Sequence, residues 1–142
     1  MLVYCQVPHR RHTVNRGWSS GTGQLSTHDS DGRLEVKLAR PGSLDSGTNP
    51  EQLFAAGWSA CFISAMALEA KQMKVTLPAD LAVDAEVDLC NTDGAYFIRA
   101  RLNISLPGIR RETGQALVDA THQTCIYSKA TRGNIDVAIN LV

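Results

Sequence analysis

The sequence predicts an α+β domain, because two strand pairs with hairpin turns flank one long apolar helix. An amphipathic helix and a short final strand complete the order strands, helix, strands, helix, strand. At 142 residues the chain has the length of one domain. We therefore expect residues 1–142 to form a single domain, with an irregular segment at residues 1–15.

The first hairpin is predicted from its alternation and its turn. In RLEVKLA the apolar Leu34, Val36 and Leu38 alternate with charged residues, which is typical of a strand with one buried face. QLST is the expected partner strand, and DSDG supplies turn-forming residues. The RPGSLDSGTN segment that follows predicts a loop.

The long helix is predicted from Pro50 to about Met73. Thr48 or Asn49 can cap it, and Pro50 suits the first helical position. Glu51 lies in the first turn, where the positive end of the helix dipole favours an acid.

The body of this helix is apolar on every side, since only Ser59 and Ser64 are polar between residues 53 and 68. Such a helix is typically buried, and one sheet with one further helix cannot cover it all round. We therefore expect a homodimer in which both subunits' sheets cover two such helices. The apolar run is shorter than the ~20 residues of a membrane span, so no membrane partner is expected.

The second half of the chain predicts a second hairpin, a helix and a strand. LPADLAVDAEVDLC and AYFIRARLNISLP alternate around NTDG, which is turn chemistry. A helix from about Ile109 to Thr124 follows, with Ala116, Leu117 and Ala120 as its inner stripe. IDVAINLV closes the chain as a short strand.

Charge and leader composition exclude several classes of function. Fourteen acidic and fourteen basic residues balance, so nothing favours nucleic acid as a partner. The N-terminal MLVYCQVPHRRH lacks the basic-then-apolar order of a signal peptide. We expect a cytoplasmic protein.

The four cysteines predict no metal site and no cofactor. Cys5, Cys61, Cys90 and Cys125 form no CxxC motif and are not paired with His at zinc-finger spacing. In a reducing cytosol an isolated cysteine is either a packing residue or a reactive one, and packing is commoner.

Cys61 and Cys125 are the candidate reactive pair. Cys61 lies in mid-helix, where a side chain is held rigidly, and Cys125 lies at a helix end, where it can move. A peroxide-reducing pair needs one thiolate that becomes a sulfenic acid and a second thiol that condenses with it to a disulfide. Spacing alone leaves open whether the two sulfurs meet or both cysteines are packing residues.

The segments TNPEQLFAAGWSACF, LPG and ATRGNIDV resemble the organic hydroperoxide resistance (Ohr) branch of the OsmC/Ohr family. The resemblance spans roughly Gly21 to Val142. It implies a peroxidatic cysteine at Cys61 in SACF, a resolving cysteine at Cys125 in CIYS and a carboxylate at Glu51 in NPEQ.

The resemblance also implies an architecture and an activity. The fold would be an intertwined homodimer with antiparallel sheets wrapped around buried central helices. The activity would be that of a thiol-dependent peroxidase, which reduces organic or fatty-acid hydroperoxides to alcohols through a Cys61 sulfenic acid and a Cys61–Cys125 disulfide. A lipoylated protein or another dithiol would recycle it.

Two departures from the family pattern concern the thiols. Ile126 replaces the proline of the family's CPYS motif, and no arginine lies in SSGTGQLST, where the family places one. Because a free cysteine has a pKa near ~8.5 and burial raises it, a cation must come from elsewhere. Arg16 is the first candidate and Arg40 the second.

The role of Glu51 depends on where Cys61 lies. Ten residues of one straight helix put them about 15 Å apart along its axis. Either the helix breaks near Gly57, or Glu51 serves Cys61 of the partner subunit, which we favour.

A rival hypothesis keeps the fold without the activity. The protein would then be a dimeric binding module for an apolar small molecule. In either case Phe54, Trp58 and Phe62 would receive an alkyl chain or only pack in the core.

Overall fold

The computed structural model describes residues 12–16, 23–29, 32–39, 44 and 46–142, with side chains from residue 34 onward. The chain divides into two compact units, Met1–Leu53 and Phe54–Val142, and each is described by itself. The single-domain organisation stays a prediction. The elements are β1 (His12–Arg16), β2 (Gly23–Asp29), β3 (Gly32–Leu38), α1 (Pro50–Met73), β4 (Ala82–Thr92), β5 (Ala95–Ser105), α2 (Arg111–Thr124), α3 (Ile126–Thr131) and β6 (Val137–Leu141).

The first unit contains an antiparallel sheet in the order β1-β2-β3. The pairing of β2 with β3 confirms the first hairpin. Strand β1 was not expected, and it overlaps the end of the segment predicted to be irregular. Its sequence HTVNR has no apolar alternation, so backbone pairing with β2 rather than a buried face defines it. Residues 1–11 lie outside the described residues.

The approach to α1 requires glycine at position 47. The Ala39 N–H donates to the Thr48 carbonyl, and the Thr48 N–H donates to the Lys37 carbonyl, each at 2.8 Å. A Cβ on Gly47 would lie 2.8 Å from the Lys37 oxygen, well inside van der Waals contact. This close approach fixes the residue just before the cap of α1.

Helix α1 begins and ends as the sequence predicts. The Asn49 Oδ1 accepts a hydrogen bond from the Gln52 N–H at 2.8 Å, so Asn49 is the cap. The helix then runs without a break over Pro50–Met73. The Val75 N–H donates to the Ala70 carbonyl at 2.8 Å and closes its last turn.

The burial of α1 is one-sided within a single chain. Its buried residues are Trp58, Phe62, Ala65, Met66 and Ala70. Its exposed apolar face consists of Ala56, Ala60, Ile63, Ala67 and Leu68. One chain therefore does not bury α1 on every side, as the sequence predicted, because the described sheet and helices cover only one of its faces.

Among the described residues, α1 is long and apolar enough to cross a membrane by length and composition alone, so the expectation that its apolar run is too short for a span does not hold. The core helix of a soluble protein passes the same test, so this property does not assign α1 to a membrane.

The second unit contains a mixed sheet in the order β4-β5-β6. Strands β4 and β5 form the second predicted hairpin, with Asp93 and Gly94 at φ 52° and 85° in its two-residue turn. Strand β6 pairs parallel with β5, so the prediction of purely antiparallel sheets is wrong there. The chain crosses back through α2 and α3 before β6, and a helical crossover returns a strand in the same direction.

The core of this unit lies between the sheet and the helices. It consists of the buried face of α1 together with Ala100, Leu102, Ile104, Leu106, Leu117, Val118 and Cys125. Helix α2 buries Gly114, Leu117, Val118 and Thr121. Of the predicted inner stripe only Leu117 is fully buried, and Ala116 is exposed.

Candidate active site

Cys125 forms the junction between α2 and α3. Its backbone is extended, with φ −57° and ψ 122°. Its N–H donates to the Thr121 carbonyl at 2.8 Å, and its carbonyl accepts from the Lys129 N–H at 3.0 Å. Only 1% of Cys125 is exposed, so this thiol is held in the core by the helices on both sides.

The sulfurs of Cys61 and Cys125 lie 3.4 Å apart. Both cysteines are free, Cys61 is partly buried in α1, and the Cys125 thiol donates towards the Cys61 sulfur. A disulfide needs a separation of about 2.05 Å, so the sulfurs would have to close by about 1.4 Å. Cys61 and Cys125 are 64 residues apart in sequence, and the fold brings their sulfurs into contact.

The surroundings of Cys61 act on its pKa in both directions. Burial raises the pKa of the Cys61 thiol most, and the neighbouring Cys125 thiol raises it further. The backbone N–H groups of Tyr127 and Ile126 lower it by hydrogen bonding to the sulfur. The balance leaves the pKa above its ordinary value, so formation of a thiolate at neutral pH needs additional positive charge.

Ile126 contributes to this balance through its backbone. It occupies the first position of α3, where proline stands in the family motif. A proline there has no N–H, whereas Ile126 has one, and it lowers the pKa of the Cys61 thiol. The departure from the motif therefore adds a donor beside the thiol.

The other predicted site residues, Glu51, Arg16 and Arg40, belong to the first compact unit, Met1–Leu53. Glu51 is partly buried in the first turn of α1, in the first compact unit, and α1 continues unbroken through Gly57. The alternative of a helix break near Gly57 is therefore wrong. Arg16 is the last residue of β1, and its side chain lies outside the described residues, as does all of Arg40.

An open apolar cavity of about 430 Å³ lies next to Tyr127. The rings of Phe54 and Tyr127 stand 6.0 Å apart. Trp58 and Phe62 are fully buried and belong to the core, so Phe54 alone of the three predicted aromatic residues lines this cavity. The lining is Phe54, Ile98, Tyr127, Ala130, Thr131, Asn134 and Ile135.

Two side-chain hydrogen bonds beside Cys125 escaped the sequence analysis. The Thr124 hydroxyl donates to the Glu69 carboxylate at 2.6 Å. The Trp58 indole N–H donates to the Ser128 hydroxyl at 3.3 Å. The sequence could have singled out Glu69, because it is the first charged residue of α1 after Glu51 and ends the apolar run.

The described part of the chain supplies a two-thiol centre. Within it, no group of three His, Cys, Asp or Glu side chains could hold a metal ion. What the geometry provides is one partly buried thiol, a second thiol at contact distance and an apolar cavity on the same junction. These features define an α+β protein capable of dithiol–disulfide chemistry.

Comparison with known proteins agrees with this class. The model of the OsmC-like protein family matches residues 42–140. An organic hydroperoxide resistance protein of Xanthomonas axonopodis pv. citri is 47% identical over 136 residues, which cover 96% of each chain.

Solved structures show the same fold. The crystal structure of the organic hydroperoxide resistance protein OhrB of Bacillus subtilis matches with a TM-score of 0.83 at 36% identity, covering 94% of this chain and 98% of that one. A Vibrio cholerae structure with captopril bound in one of its active sites matches with a TM-score of 0.79 at 33% identity, covering 99% and 93%. The chain belongs to the OsmC/Ohr family, in its organic hydroperoxide resistance branch.

Proposed function

We propose that the protein is a thiol-dependent peroxidase that reduces organic hydroperoxides to alcohols and so protects against them. The 3.4 Å separation of the Cys61 and Cys125 sulfurs is the observation that carries this proposal. The names of the relatives, which are organic hydroperoxide resistance proteins, support the same substrate class.

The proposed cycle begins at Cys61. Its thiolate attacks the distal oxygen of the hydroperoxide, the O–O bond breaks, and the alkoxide takes a proton and leaves as the alcohol. Cys61 is then a sulfenic acid. The Cys125 thiol attacks that sulfur, a water molecule leaves, and a Cys61–Cys125 disulfide remains.

The disulfide is recycled by two electrons and two protons from an external dithiol. We propose a lipoylated protein, or another dithiol, as this reductant, and a cytoplasmic location for the cycle. Exposure of part of Cys61 is compatible with attack by such a reagent. No cofactor is required by these steps.

The alkyl group of the substrate is proposed to lie in the cavity lined by Phe54 and Tyr127. Tyr127 connects the two regions, because it lines the cavity while its backbone N–H lowers the pKa of the Cys61 thiol. An apolar wall favours alkyl and fatty-acid hydroperoxides over hydrogen peroxide, which has no apolar surface to bury.

The remaining parts of the proposed site come from a second subunit and from arginine. The exposed apolar face of α1, with Ile63 at 37% and Leu68 at 59% exposure, is suited to cover by a second copy. In such a homodimer Glu51 would serve the partner's Cys61. Arg16, or failing that Arg40, would supply the cation that the raised pKa of Cys61 calls for.

A second candidate is a binding module without peroxidase activity. The observation that favours it is the raised pKa of the Cys61 thiol, which disfavours the reactive thiolate at neutral pH. The open cavity would then hold an apolar molecule and the thiols would be packing residues.

The two candidates differ in a steady-state assay. Protein, a small dithiol such as dihydrolipoamide and an alkyl hydroperoxide are mixed, and consumption of the hydroperoxide is followed. A peroxidase consumes many equivalents, whereas Cys61→Ser abolishes turnover and Cys125→Ser allows only sulfenic acid formation without a disulfide. Binding of the hydroperoxide without consumption by the wild-type protein contradicts the proposal and favours the module.

A further inference from the structure

The junction that carries Cys125 is tied to α1 by two side-chain hydrogen bonds, one on each side of the cysteine. On the N-terminal side the Thr124 Oγ1 donates to the Glu69 Oε1 at 2.6 Å, in partly buried surroundings. On the C-terminal side the Trp58 Nε1 donates to the Ser128 Oγ at 3.3 Å, and neither residue has exposed surface.

Both ties end on the helix that carries Cys61. Trp58 precedes Cys61 by three residues, and Glu69 follows it by eight. Eleven residues make three full turns of a helix and about 20° more, so Trp58 and Glu69 point in nearly the same direction from the axis. They therefore flank Cys61 along one face of α1. These two bonds add to the core packing that holds the junction on α1, and so to the separation of the two sulfurs.

The sulfenic acid of the proposed cycle has two competing fates, and the position of Cys125 decides between them. It condenses with the Cys125 thiol to a disulfide and water, or it reacts with a second hydroperoxide to give a sulfinic acid and an alcohol, which ends the cycle. Condensation is intramolecular, so its rate depends on how closely the junction holds the second thiol.

We propose, resting on the proposed function, that Glu69 and Thr124 are positioning residues for the resolution step. Their hydrogen bond holds Cys125 against Cys61 and thereby protects Cys61 from over-oxidation, with the Trp58–Ser128 bond as the second tie. Neither Glu69 nor Thr124 exchanges electrons or protons with the substrate in this role. The Glu69 carboxylate is a strong acceptor, because hydrogen bonds to ionised groups are stronger than those between neutral groups.

The test compares two substitutions of one hydroxyl. Thr124→Val keeps the shape and removes the donor, and Thr124→Ser keeps the donor. Gln115→Ala is the matched control, since it breaks a 2.8 Å side-chain bond to Asp119 on the exposed face of the same helix. Each protein is treated with increasing alkyl hydroperoxide, and mass spectrometry gives the fractions of disulfide and of Cys61 sulfinic acid.

Over-oxidation of half of the Cys61 thiols should need about one tenth as much hydroperoxide in Thr124→Val as in the wild-type protein. This tenfold change is the size expected for the loss of one hydrogen bond to a charged group. Thr124→Ser and Gln115→Ala should match the wild type. The rate of sulfenic acid formation is measured separately in all four proteins, because the junction also acts on the pKa of Cys61 and a change in the first step must not be counted as a change in resolution.

A second variant keeps the test decisive if Thr124→Val unfolds. Glu69→Leu removes the acceptor from the α1 side, and it should raise over-oxidation as much as Thr124→Val, with no further rise in the double variant. Over-oxidation unchanged from wild type in both variants, while the disulfide still forms, would overturn the positioning role and leave the peroxidase intact. A wild-type protein that forms neither disulfide nor sulfinic acid would overturn the proposed function itself.

Discussion

At the scale of single residues, the chemistry depends on what surrounds the Cys61 sulfur. Burial and the Cys125 thiol raise its pKa, and the backbone N–H groups of Tyr127 and Ile126 oppose them. The Ile126 N–H can be removed by a substitution to proline that leaves the backbone path intact. The preceding residue, Cys125, already has φ −57° and ψ 122°, which a following proline accepts.

Ile126→Pro is therefore expected to raise the pKa of Cys61. Fewer molecules carry the thiolate at neutral pH, so alkylation of Cys61 should slow at pH 7 and regain the wild-type rate once the pH exceeds both pKa values. Ile126→Ala, which keeps the N–H, is the control. Rates of a small alkylating reagent measured against pH test this; identical profiles for the proline and alanine variants would show that the donor does not matter.

The source of the positive charge is a second prediction at this scale. We expect Arg16→Gln to shift the pH profile of Cys61 alkylation upward and to lower peroxidase turnover at pH 7, because a nearby cation favours the thiolate. Arg40→Gln is the parallel variant. A shift with Arg40→Gln alone would show that Arg40 supplies the positive charge. No shift with either variant would show that neither arginine lowers the pKa of Cys61.

At the scale of elements, α3 lies against α1 at Gly57. A Cβ at this position would stand 3.2 Å from Cε2 and from the hydroxyl oxygen of Tyr127, a tight contact. Tyr127 is 37% exposed, so its ring can move outward, towards the cavity that it lines.

Gly57→Ala should therefore change specificity more than stability. The gain in helix propensity, about 1 kcal/mol, offsets the cost of the displaced ring, so the free energy of unfolding should change by about 1 kcal/mol or less. The KM for a long-chain hydroperoxide should rise while that for a short one stays. Thermal unfolding and steady-state kinetics with both substrates test this, and equal KM changes for the two would contradict the placement of the alkyl chain.

Sequence pattern predicts elements well where local signals agree. Both hairpins and the cap of α1 at Asn49 follow from alternation, turn residues and capping chemistry. Helix α3 was missed because six residues, IYSKAT, are too few to show a helical period. The resemblance implied antiparallel sheets, whereas the crossover through α2 and α3 makes β6 parallel to β5.

At the scale of the whole molecule, the proposed homodimer would cover the exposed face of α1 and would bring Glu51 of one subunit to Cys61 of the other. If Glu51 serves the partner's Cys61, a dimer of one Glu51→Ala subunit and one Cys61→Ser subunit contains one intact site. Random re-association of the two inactive variants should then restore about a quarter of the wild-type activity.

The control for this experiment mixes Glu51→Ala subunits with subunits that carry both substitutions, which can form no intact site. Light scattering on each mixture measures whether dimers are present. Dimers that regain no activity would contradict the shared site, and a monomeric protein would contradict the homodimer.

The candidate site could be predicted from sequence only in part. Thiol chemistry and the resemblance single out Cys61 and Cys125, but a separation of 64 residues says nothing about distance, which the core packing of α1 against the α2–α3 junction sets at 3.4 Å. The Thr124–Glu69 bond and the Ile126 N–H were missed for the same reason, because both depend on that packing.

The most direct test of the account treats the reduced protein with one equivalent of an alkyl hydroperoxide and examines it by intact mass and peptide mapping. We predict the loss of two hydrogen atoms, the appearance of one equivalent of alcohol and a crosslinked peptide joining Cys61 to Cys125. Unchanged mass with the hydroperoxide recovered intact would contradict the central claim that these two sulfurs form a redox pair.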